Sequence, residues 1–320
     1  MPRTGPTIAG TALQLIRERG PQQLDALVPE IVAAGRTRAR DPRAAVRAAI
    51  DVNPEFIQAW DGRWCSLVDQ LEGAIFAAPV TRLERADGVV ILNAQLELLR
   101  RLALRPRPLV GGGEVHLDLF GDFYDLPWHA EDLEDGELRE ALGPGLAADL
   151  LGFLLELGLP PQTDETDALR ELVGAMSFVQ VLHGPEGWLP PIGPRQLLGI
   201  RVRAGAVEAI ALDRRDVTGP HVGVVAAKVA RLARLVIGPD PSWFGPPAIE
   251  LEELLELVAT EAPELLRRPL PPFAEVVARG GLEVHDGWVG HRGTDWEATG
   301  LLAPIDLEEA WGYEAPDTVN

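Results

Sequence analysis

Cysteine is almost absent. Cys65 is the only one in 320 residues, which excludes an intrachain disulfide framework and a cysteine-based zinc site and suits a reducing cytosol. Lysine is equally scarce: Lys228 is the sole one, beside 28 arginines. A phosphate-cradling P-loop ends in Gly-Lys-Ser/Thr, so that chemistry is excluded. A restriction-type nuclease core needs a Lys just after a strand carboxylate, whereas Lys228 follows Ala226 and Ala227 in a helical pattern. No Ser stands in Gly-x-Ser-x-Gly, and Gly111–Gly113 is too short for a dinucleotide fingerprint. Long apolar runs are missing too. The most apolar stretch, His221–Gly238, is interrupted by Lys228, Arg231 and Arg234, and a spanning helix needs ~18 uncharged residues. Met1–Arg19 holds no apolar run before a small-residue cleavage site, so no secretory leader is expected. These absences predict a cytoplasmic, non-catalytic protein with no cofactor and no membrane contact.

What is present is acid. Formal net charge is -20, which disfavours nucleic acid as a partner of the whole surface. The distribution is uneven. Residues 1–80 hold 9 Arg and 9 carboxylates, so the remaining 29 − 9 = 20 basic and 49 − 9 = 40 acidic residues carry the deficit. The two parts are expected to do different jobs.

In the neutral part, Ile8, Ala12, Leu13, Leu15 and Ile16 recur at helical spacing up to Gly20-Pro21. A second helix is expected from Asp25 as its cap, with Leu27, Ile31 and Val32 inward and Gly35 as the stop. Pro29 must then sit near its first turn or kink it. The third helix starts at Asp41-Pro42, a cap followed by a proline at the first helical position. Phe56–Trp60 and Arg63–Leu67 flank Asp61-Gly62, a strong hairpin signal. Three short helices followed by a ribbon make a winged helix-turn-helix.

The run "ALQLIRERGPQQLDALVPEIVAAGR…DPRAAVRAAIDVNPEFIQAWDGRW" resembles the HARE-type winged helix, the module of the RNA polymerase delta subunit, restriction-endonuclease fusions and chromatin-associated proteins. The shared features are the Arg-Gly-Pro ending of helix one, the Gly35 stop, Arg-x-x-Val-Arg-x-Ala-Ile, Asn-Pro-x-Phe and Asp-Gly-x-Trp, over about residues 8–70. Pro29 departs from the pattern. The resemblance implies binding to double-stranded DNA or docking on transcription machinery. The candidate DNA-binding residues are Arg36, Arg38, Arg40, Arg43 and Arg47, with Arg63 on the wing. The bland reading pairs Arg47 with Asp51 and leaves the others solvating a loop. The expected function is DNA binding or transcription-associated regulation without catalysis; the alternative is a protein-protein adaptor that uses the winged helix as a docking surface, with the acidic body available to a protein partner.

The expected fold class is α+β: a winged helix-turn-helix over residues 1–78, a mixed helix and small-sheet body over 79–248, and a helix-plus-hairpin unit over 249–320. Residues 101–113 read as a connector and 114–119 as a half-buried strand. Residues 131–140 read as a solvated acidic stretch, and Leu146–Leu157 and Ala168–Leu182 as helices. Residues 196–212 read as two strands around Ala204-Gly205 and Val222–Ile237 as a helix. His116, Asp118, Asp122 and Asp125 could be a metal cluster, but strand alternation explains them more simply; His285, Asp286 and His291 lack a further ligand of defined geometry. No metal is expected. "HDGWV" at 285–289 echoes "WDGRW" at 60–64, which points to a second, degenerate winged-helix-like unit. Beyond Pro304, Trp311 and Tyr313 lie among acidic residues in a tail expected to dock on the body.

Overall fold

The computed structural model describes residues 7–92, 96–127, 129–156, 164–193, 195–238 and 246–299. The fold is α+β, with four small antiparallel sheets among the described residues.

The first unit comprises α1 (Ile8–Arg19), α2 (Leu24–Ala33), α3 (Pro42–Asp51), β1 (Phe56–Gln58) and β2 (Trp64–Ser66). Asp41 caps α3, accepting from the Ala44 N–H at 3.0 Å. Asp25 does not cap α2: Gln23 holds the N-cap position and Asp25 sits in the first turn. Pro29 lies well inside α2, where its missing N–H leaves the Asp25 carbonyl without its helical donor. Gly35 supplies the left-handed stop at φ +67°, and Val32 faces solvent rather than the core. Gln22 adds a short third strand, exchanging backbone bonds of 3.0 and 2.7 Å with Trp64. This is a winged helix-turn-helix order.

The ribbon has two apolar faces. On one, Phe56 and Trp64 meet edge to face at 6.5 Å and join Leu13, Ile16, Leu27, Val46 and Ile50 in the unit's core. On the other, Ile57, Ala59 and Cys65 enter the main core of the body. Residues 67–78 also belong there. After α4 (Leu67–Gln70), β3 (Ile75–Ala78) pairs with a strand 120 residues later, so the expected boundary near 78 falls inside a sheet.

The body follows with α5 (Arg82–Asp87), β4 (Val89–Ile91), α6 (Glu97–Ala103), β5 (Arg107–Pro108), β6 (Glu114–Leu119) and α7 (Phe120–Phe123). Next come α8 (Asp135–Glu156), α9 (Glu165–Met176), β7 (Gln180–His183), β8 (Gln196–Arg203), β9 (Ala206–Asp213) and α10 (Arg214–Val217). The sheets run β3-β8-β9 and β4-β7-β6-β5. The acidic stretch 131–140 is not all loop: α8 starts at Asp135 and runs to Glu156 across a break at Gly143-Pro144. Helix α9 ends at Met176, and residues 180–183 form a central strand instead of its continuation, because Val181 and Leu182 are buried between β4 and β6.

The last unit is α11 (His221–Ile237), β10 (Ala248–Glu250), α12 (Leu251–Glu261), α13 (Phe273–Arg279), β11 (Leu282–His285), β12 (Trp288–His291) and α14 (Trp296–Thr299). Its sheet order is β10-β12-β11. Helix, strand, two helices, hairpin, with the lone strand beside the second hairpin strand: this repeats the first unit, where Gln22 lies beside β2. The second winged-helix-like unit therefore includes α11, which the sequence reading assigned to the body. Gly280 allows the close crossing of α11 and α13, since a Cβ there would lie 2.6 Å from the Ala226 carbonyl oxygen. The tail with Trp311 and Tyr313 lies outside the described residues.

Trp64 is 8% exposed and Trp60 62%. Trp64→Ala should therefore cost roughly 3 kcal/mol in urea unfolding, and Trp60→Ala less than about 0.5 kcal/mol. Equal losses would show that the ribbon's inner face does not hold the unit together.

Candidate nucleic-acid interface

The six candidate arginines divide into three groups. Arg43, Arg47 and Arg63 are each held by an aspartate: Nε of Arg43 lies 2.8 Å from Asp25, Arg47 3.3 Å from Asp51, and Arg63 2.5 Å from Asp61. Asp25 thus exchanges its expected capping role for an ion pair across α2 and α3. Arg36 is half-buried, and its Nε is buried without a hydrogen-bond partner among the described residues. Only Arg38 and Arg40, in the loop before α3, are exposed without an ion pair among the described residues. Exposed pairs are worth at most about 1 kcal/mol each and can open. Their carboxylates nevertheless stay beside any phosphate the arginines would meet.

The wing is tied down. The loop Ala59–Arg63 closes through Gly62 at φ +81°, and the Asp61 carboxylate accepts the Arg63 backbone N–H at 3.1 Å. That bond and the Arg63 guanidinium hold the Asp61 carboxyl below the usual range. At the tip, the Trp60 N–H donates to the Glu261 carboxylate of α12 at 3.0 Å. At the base, Arg101 donates to the Phe56 carbonyl at 2.9 Å and pairs with Glu256 of α12. Buried Arg107 bridges the Leu102 carbonyl at 2.5 Å and Glu55 at 3.1 Å. Residues 101–113, expected as a connector, instead hold the base of the ribbon through Arg101 at the Phe56 carbonyl and Arg107 at Glu55 just before it. The signal available was their charge next to apolar residues in an acidic chain.

Beyond the end of α3, Asp51, Val52, Asn53 and Pro54 line a cleft with α6 and α12. Its walls carry Glu97, Glu250, Glu252, Glu253 and Glu256, against Arg100 and Arg101. Arg100 is paired with Glu97. Burial, then the Glu97 charge, pushes the Glu252 carboxyl up; burial, then Glu250 and Glu256, does the same to Glu253. The cleft repels phosphate next to the helix that would read DNA.

The other candidates do not assemble. His183 stacks beside His116 at 5.5 Å and lies 3.6 Å from Asp118, with burial pushing the His183 pKa down. His285 stacks on Trp296 at 5.6 Å, while His291 Nε2 donates to the Gly238 carbonyl at 3.1 Å. Among the described residues no three metal-ligating groups converge, and no helix is long and apolar enough to cross a membrane. No family model, curated protein or solved structure matches the chain.

The raised glutamates fix the sign of a pH effect. The folded chain binds protons at Glu252 and Glu253 more readily than the unfolded chain, so their contribution to stability grows as pH falls through the window above the ordinary glutamate value. It is lost again as pH rises through the raised values. Melting curves at about pH 7 and about pH 5 should show a smaller acid-side gain in E252Q/E253Q than in the native chain. An identical gain would show that the cleft does not strain these charges.

Proposed function

We propose that the protein is a non-catalytic adaptor whose N-terminal unit, a HARE-type winged helix by its sequence features, docks on another protein. One observation carries this reading. The wing that a DNA-binding unit keeps free is covered on both faces, one by its own helices and the other by the main core of the body, and the Glu261 carboxylate holds its tip. The unit also exposes large apolar side chains: Trp60 at the tip and Val52 beyond α3, the latter 81% exposed. Exposed Trp is enriched among the anchors of protein interfaces.

DNA binding is the second reading, favoured by the unpaired Arg38 and Arg40. A surface with two free cations releases few counterions. Duplex DNA titrated into the full chain should bind weakly, with log K falling against log salt by a slope of about −2 or shallower. A photo-crosslinking side chain at position 52 should capture a protein, and Trp60→Ala in that background should abolish the capture without changing the melting temperature. A steep salt slope, lost in R38E/R40E, together with no captured protein, would reverse the order of the two readings.

A further inference from the structure

Helix α11 has a face that the core does not use. Val222, Val225, Ala226, Val229, Ala230 and Ala233 are buried. On the opposite side, Val224, Lys228, Arg231 and Leu235 follow at four, three and four residues, which aligns them in one stripe. Val224 is 62% and Leu235 60% exposed. Lys228 stands 4.0 Å from Glu264, and Arg231 has no ion pair among the described residues. Apart from that one long, exposed contact to Glu264, nothing among the described residues complements this apolar and basic stripe on a chain of net charge -20.

The chain itself contains that complement. Residues 301–320 hold five carboxylates, Asp306, Glu308, Glu309, Glu314 and Asp317, and no basic residue, interspersed with Leu307, Trp311 and Tyr313. The segment also starts nearby. His291 touches Gly238, the residue that caps α11, and Trp296 packs on Gly290. Thr299 follows His291 by eight residues, so it lies within about 28 Å of that cap. The stripe begins three residues before Gly238 and is about 16 Å long. Twenty residues reach ~66 Å at most, ample to cover it. Residues 239–245 follow α11 directly but hold one carboxylate, Asp240. Seven residues fixed at both ends reach about 12 Å from Gly238 at their midpoint, short of Val224, which is about 21 Å along the helix.

We propose that residues 301–320 lie along the Val224–Leu235 stripe of α11, with carboxylates on Lys228 and Arg231 and apolar side chains on Val224 and Leu235. The inference is independent of the adaptor reading, since it concerns a different surface.

Cross-linking in the full chain tests it. Burial pushes the Cys65 thiol up to about 11, so it stays protonated and silent. Leu235→Cys is combined in turn with Ala303→Cys, Ala310→Cys or Ala315→Cys and treated with a short bismaleimide. An intramolecular link in at least one pair is expected. Dimers alone would mean that a second copy occupies the stripe, and the proposal falls; it falls too if no pair links. A second measurement follows chymotrypsin cleavage after Trp311 and Tyr313. K228E/R231E should be cut about tenfold faster than the native chain, because cleavage tracks the undocked population, while R231K should stay slow. A native rate in K228E/R231E overturns the assignment. So does protection that depends on Arg38 and Arg40 instead, which would move the segment to the N-terminal unit.

Discussion

The two-sided burial of the β1–β2 ribbon is the constraint on which the rest depends. A ribbon of three residues per strand cannot stand alone in water, and here each face is covered by a different body. Phe56 and Trp64 close the helical unit, while Ile57 and Cys65 continue the main core. The same short element is thus the floor of one core and the wall of another. Its polar edges are managed with equal economy: Gln22 pairs with Trp64, Arg101 meets the Phe56 carbonyl, and Glu261 takes the Trp60 N–H. Freedom of the wing and integrity of the body are therefore opposed.

Electrostatics follows the same division. Where α12 faces the end of α3, carboxylates outnumber arginines. Arginines near this region are spent on carboxylates and backbone carbonyls, which leaves a small residual positive field over residues 38–40. A neutral segment by count becomes, by geometry, a segment whose cations are mostly answered.

The first unit was legible because its signals are local. Asp41-Pro42, Gly35 and Asp61-Gly62 act within a turn or two, and the structure places each where the pattern asked. The echo of "WDGRW" in "HDGWV" was legible as well, though the membership of α11 was not. That depends on which strand lies beside β12, and β10 is three residues long with no pattern of its own. The arginine face was half legible. Residue type and spacing showed the Arg47–Asp51 pair, but Arg43–Asp25 joins residues 18 apart and is settled by how α2 crosses α3. Residues 180–183 misled because a buried strand and the end of an apolar helix look alike in a short window.

The Trp60–Glu261 bond spans 201 residues, and this sets a timetable for a chain made from its N-terminus. At about 5–20 residues per second, roughly 10–40 s separate the synthesis of the ribbon from that of its last partner. The helical unit can condense early on Phe56 and Trp64. Ile57 and Cys65 can meet Leu67 to Phe76 of the same core early, but the contacts of β1 with α12 form only at the end of that interval. Throughout it the wing exists without the carboxylate that holds its tip, so the ribbon is free for most of synthesis and fixed only once α12 is made.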